Sequence, residues 1–115
     1  MRKYDVVRGL LPFLILKYGQ KKDFHGYELI KMFRREFHVY FGPSTIYPLL
    51  AVMVKEGLLT KGDWATGATR PIIVYKITQD GLDMIPCSEA TLLLVIQHTR
   101  TEEPKRLTAP SFWVS

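Results

Sequence analysis

Cysteine is almost missing from this sequence of 115 residues: Cys87 stands alone. No disulfide can close within the chain, which fits a reducing cytoplasm. Long apolar runs are missing too. The longest are under ten residues, too short to span a bilayer. The run from Gly9 to Leu16 contains Pro12 and ends at Lys17 with no cleavage site, so it does not read as a signal peptide. The histidines His25, His38 and His98 lack metal-ligand spacing, and one cysteine cannot complete a zinc site. There is no nucleophile–base signature and no glycine-rich phosphate loop. These absences predict a cytoplasmic protein that is not an enzyme and takes no cofactor.

What is present is positive charge, concentrated in one half. The formal net charge is +5. Residues 1–60 hold ten Lys/Arg against five Asp/Glu, and residues 61–115 hold six against six. Such asymmetry points to an anionic partner, nucleic acid or a membrane surface, although a basic face that merely keeps the protein in solution reads the same way. With 47% apolar residues the chain can build one domain around a modest core.

Residues 6–18, VVRGLLPFLILKY, are apolar on nearly all sides and suit a helix buried on more than one face. Pro12 either kinks that helix or sits in the first turn of one beginning near Leu11. Residues 19–24 read as a loop, with Gly19 as the helix stop. Residues 25–37, HGYELIKMFRREF, read as an amphipathic helix with Gly26, Ile30, Phe33 and Phe37 on one side. Tyr27 is expected in the core.

The next helix is predicted over 43–56. Pro43 opens it, Ser44 or Thr45 caps it, Pro48 falls near its start, and Gly57 stops it. Ile46, Leu49, Leu50 and Met53 share the core face. Ser44, Pro48, Ala51 and Lys55 lie opposite, with Tyr47 at the flank. This outer face is small and weakly polar, a shape suited to close approach to a flat polar surface. Residues 57–78 change to a β period around ATGAT and read as a hairpin. Thr78 caps a following helix, Pro86 breaks or kinks it, and Ser88 restarts it over 88–98. The tail 99–115 is polar and mostly irregular.

The segments RGLLPFLILKY, HGYELIKMF, GPSTIYPLLAVMVKEGLL and VYKITQDG, in this order, resemble the PadR family of transcriptional regulators. The similarity covers roughly residues 6–83. It implies a mainly α fold with a small β-hairpin wing, a winged helix-turn-helix followed by a C-terminal dimerisation helix. In that frame 1–83 is the DNA-binding domain, 84–98 the dimerisation helix and 99–115 the tail. The resemblance further implies a homodimer, a repressor in the commonest case, on a palindromic double-stranded operator. Residues 43–56 would be the recognition helix in the major groove, and 62–72 the wing on the backbone or minor groove. Pro43, Ser44, Thr45, Tyr47, Pro48, Ala51 and Lys55 are the DNA-facing candidates on the helix, with Arg70 and Lys76 on the wing. Leu10, Phe13, Leu14, Leu92, Leu93, Val95 and Ile96 are the dimerisation candidates. No membrane partner is implied.

The chain departs from the family pattern after YPLL, where charged residues are common and Ala51 and Val52 stand instead. Apolar side chains there favour thymine methyl groups over phosphates. They also support a second expectation, a winged-helix protein-interaction module that binds DNA weakly. Some relatives take planar aromatic effectors in an aromatic-lined dimer pocket. Residues 88–98 hold no Trp, Tyr or Phe, which makes a small-molecule effector the lesser expectation.

Overall fold

Leu10 divides the first apolar stretch into two helices, α1 (Lys3–Gly9) and α2 (Leu11–Lys21). Pro12 is in the first turn of α2, where a missing N–H costs little because first-turn N–H groups have no partner within their own helix. Of the two arrangements the sequence allowed for Pro12, the structure therefore takes the helix that begins at Leu11. Gly19 is not the stop expected of it. It lies buried inside α2, and a Cβ there would come within 3.1 Å of the Phe24 ring. Its small size serves helix packing, and α2 continues to Lys21.

The structure, a computed structural model, describes residues 1–65 and 72–100. The side chains of 63–65, the hairpin tip, Arg70 and the tail beyond residue 100 lie outside the described residues. The chain divides into two compact units, Met1–Ile85 and Pro86–Ser115.

In the first unit α3 (Gly26–Phe37) buries Gly26, Leu29, Ile30, Met32 and Phe33. His38 ends it in the left-handed region (φ 59°) and returns its N–H to the Arg34 carbonyl at 3.1 Å. Tyr27 is not in the core: it is 57% exposed. It follows Gly26 by one residue, about 100° around the helix, so burying Gly26 turns Tyr27 outward. Val39 and Phe41 then point inward and Tyr40 outward. Phe41 meets Phe33 edge-on at 5.5 Å and Tyr4 at 5.0 Å, which ties α1 to the core.

Helix α4 (Pro43–Lys55) is capped by Gly42, not by Ser44 or Thr45. The Gly42 carbonyl accepts from the N–H groups of Thr45 and Ile46, both at 3.0 Å, so the two hydroxyl residues already lie in the first turn. The far end closes on Gly57 (φ 81°). Gly57 donates to the Val54 carbonyl at 3.0 Å and Leu58 to that of Met53 at 2.9 Å, the paired return bonds of a Schellman motif.

Strands β1 (Leu59–Ala65) and β2 (Ile72–Ile77) form the antiparallel hairpin. Leu59 pairs with Ile77 and Lys61 with Tyr75. The register then shifts between Lys61 and Trp64, which resumes opposite Ile73. One extra residue on β1 makes this a bulge. At Gly62, inside it, a Cβ would approach the Val74 carbonyl oxygen to 2.8 Å. Phe24 bridges to Tyr75 through two backbone bonds of 3.1 and 2.7 Å, so the α2–α3 connection is tied to β2 by an isolated bridge.

Thr78 caps the last helix, α5 (Gln79–Arg100), as expected: its hydroxyl accepts from the Gly81 N–H at 3.0 Å and donates to the Gly57 carbonyl at 2.6 Å. Of the break or kink expected at Pro86, the break does not occur, and neither does the restart at Ser88; both residues are interior to α5. An interior proline removes one hydrogen bond and crowds the preceding turn, a local cost. The strong helix formers that follow, among them Glu89, Ala90 and Leu92, propagate the ladder. No helix among the described residues is long and apolar enough to cross a membrane, and none of those residues cluster as metal ligands.

Candidate nucleic-acid interface

The spacing Ile46, Leu50, Met53 turns one side of α4 into the core, each at most 1% exposed. The same rotation leaves Pro43, Ser44, Tyr47, Pro48, Ala51, Val52 and Lys55 exposed on the other side. Pro48 is tolerated because the carbonyl it leaves unpaired, on Ser44, belongs to an exposed first turn that water reaches. No acidic residue occupies that turn, and Lys55 is its counterpart in the last turn. The N-terminal end of α4 thus presents the positive end of the helix dipole without a carboxylate to neutralise it.

Tyr47 joins two sequence motifs. Its ring lies against Gly26, where a Cβ would come within 2.5 Å of Cε1 and 2.9 Å of Cζ. Only a glycine at the start of α3 lets the ring occupy this place. On β2, burial first, and then the Tyr47 phenolate as it forms, pushes the Tyr75 hydroxyl above the ordinary tyrosine pKa. Tyr47 therefore stands where α3 and α4 meet, with 43% of its surface free.

The start of α3 is held by Glu28. Its carboxylate accepts from the His25 backbone N–H and the Tyr18 hydroxyl, both at 3.1 Å, and pairs with Lys22 at 2.6 Å. Burial acts to raise the Glu28 pKa. The bonds from Lys22, His25 and Tyr18 and the nearby His25 imidazole outweigh it and hold the carboxyl below its usual value. The same bond to Glu28, with its charge, raises Lys22. His25 is the N-cap residue of α3.

The predicted DNA-facing residues of α4 thus share one exposed surface, with Thr45 half-buried at its edge. Lys76, on β2, is exposed and 3.9 Å from the Asp23 carboxylate, so part of its charge is already answered. Arg70 lies outside the described residues. Leu10, Phe13 and Leu14 are half-buried on the first unit, while Leu93, Val95 and Ile96 of the second are among its exposed large apolar residues, as is Leu94, and Leu92 is half-buried. Sequence periodicity missed the outward Tyr27 and Tyr40. The alternation of Val39, Tyr40 and Phe41 was the available signal for the second of these.

A family model described as the transcriptional regulator PadR-like family matches residues 15–85. Among solved structures, a PadR-family transcriptional regulator from Eggerthella lenta is 26% identical, with 82% of this chain and 81% of that one superposed at a TM-score of 0.73. A transcriptional regulator from Thermoplasma acidophilum is also 26% identical, over 85% of this chain and 94% of that one, at 0.73. Bacillus subtilis PadR in complex with operator DNA is 26% identical over 66% of this chain and 44% of that one, at 0.60. No curated protein matches the chain.

Proposed function

The chain belongs to the PadR-like family of transcriptional regulators, and from that premise we propose that it is a sequence-specific double-stranded DNA-binding repressor. It acts as a homodimer on a palindromic operator, by binding alone and without an enzymatic step. The observation that carries the reading is the exposed side of α4: an uncharged, small-residue surface behind an open helix N-terminus, with Tyr47 fixed beside it. Such a surface fits the floor of a major groove, and the positive end of the helix dipole suits phosphate oxygens at its edge. The operator-bound Bacillus subtilis relative supports DNA as the partner. Ser44, Thr45 and Tyr47 take the contacts to bases and backbone, Pro48 and Ala51 allow close approach, and Lys55, Arg70 and Lys76 meet phosphates. Leu92, Leu93, Val95 and Ile96, with Leu10, Phe13 and Leu14, supply the dimer surface.

A specific observation favours a second reading, a protein-interaction module: Val52 is 49% exposed beside Ala51 on the very face assigned to DNA. Successive selection from a pool of random duplexes, at two salt concentrations, separates the two. Two half-sites about one helical turn apart are expected to emerge. Enrichment of no sequence, with binding lost at moderate salt, would sink the operator reading and leave the second.

A further inference from the structure

Beside the N-terminus of α4 lies a surface cleft of about 260 Å³, lined by Tyr27, Ile30, Lys31, Arg34, Tyr40 and Pro43. It holds two cations, each set against a tyrosine ring. The Lys31 ammonium is 5.4 Å from the Tyr27 centroid and the Arg34 guanidinium 4.8 Å from that of Tyr40. Both rings are more than half exposed. Tyr40 also lies across Gly42, the N-cap of α4, where a Cβ would come within 2.9 Å of the phenolic oxygen. Guanidinium, ring and helix terminus therefore stand in sequence along one wall.

The neighbouring cations are spent differently. Arg35 pairs with Glu36 at 2.9 Å and Lys22 with Glu28 at 2.6 Å. Among the described residues no carboxylate lies within ion-pair distance of Lys31 or Arg34. Their charge is restrained by the rings but not neutralised. Two such cations, two phenol hydroxyls and the positive end of a 13-residue helix form a receptor for an oxyanion.

We propose that this cleft seats a phosphate of the DNA backbone flanking the groove that α4 enters, with Lys31 and Arg34 as its ligands and Tyr27 and Tyr40 as their supports. The inference rests on the DNA-binding reading above. The choice of DNA phosphate over a free anion comes from continuity: Pro43 is both a wall of the cleft and the first residue of α4. A helix end entering a groove about 12 Å wide has a sugar–phosphate strand passing alongside it.

The test uses the full chain and the duplex that the wild type selects. Affinity is measured across a salt series for wild type, Lys31→Gln/Arg34→Gln and the charge-keeping Lys31→Arg/Arg34→Lys. The Gln pair should weaken binding on the order of tenfold or more, equally across sequences. Its slope of log K against log salt should shrink by about 0.9 per lost phosphate, close to 2 for a dimer. The charge-keeping pair should restore most of the slope. If the wild type selects an operator and the Gln pair keeps the full slope, the cleft is no phosphate site, while the DNA reading stands. A changed sequence preference in the Gln pair would mean base readout and would also overturn the proposal. If the wild type selects no sequence, the DNA reading and the proposal fall together.

Discussion

Tyr47 and Gly26 show how one missing methyl group sets the position of a candidate contact. The ring occupies space that any side chain at Gly26 would claim. In Gly26→Ala the ring has to move, and because its outer edge is free it moves at little cost to the fold. DNA affinity is expected to fall about tenfold, ~1.4 kcal/mol, with the melting temperature nearly unchanged. Titration of the selected duplex checks this; full affinity in Gly26→Ala would show that the seat of Tyr47 is irrelevant to binding. The sequence placed Tyr47 at the flank of α4 correctly, because 3.6-residue periodicity fixes angles around one helix. It was silent on the contact with Gly26, since periodicity within a helix does not report what packs across it. Tyr27 went wrong for a related reason: aromatic character suggested burial, and the neighbouring glycine's contact decided otherwise.

At the scale of elements, Glu28 is the joint between α2 and α3, bonding Tyr18, Lys22 and the His25 backbone. Its folded-state pKa is depressed from the ordinary 4.5. The stabilisation is therefore complete above that value and is lost as pH falls through the lower folded pKa. Wild type should lose stability on acidification below about pH 5 more steeply than Glu28→Gln does, by less than about 1 kcal/mol because the pair is partly exposed. Urea unfolding at a series of pH values reads this, and parallel acid limbs would remove Glu28 from the account. Element existence was legible where caps and glycines agree with periodicity, as at Gly57 and Thr78. It was misread at Gly19, where a glycine needed for packing imitates a stop, and at Ser88, where a serine inside a helix imitates a cap.

For the whole molecule, the unit Met1–Ile85 carries a closed core, whereas Leu93, Leu94, Val95 and Ile96 of the second unit are exposed. Consecutive apolar residues left in water suit association with a second copy. Replacing Leu93 and Val95 by Glu should give a monomer in sedimentation, with the helical circular dichroism of the first unit kept. Affinity for a duplex with two half-sites should then fall toward that for one half-site, because the second contact is no longer tethered. A variant that stays dimeric would place the interface elsewhere.

The sequence by itself determined helices α3 and α4, the hairpin that follows them, the exposed face of α4 and the family. These depend on local periodicity, capping chemistry and turn residues, each carried within a short stretch of chain. Only the tertiary structure decided which motifs touch: Gly26 under Tyr47, Gly42 under Tyr40, Phe24 bridged to Tyr75, and two tyrosines turned outward beside Lys31 and Arg34. Such contacts follow from how separate elements pack against one another, and that packing is settled by the filling of a shared core rather than by any one segment.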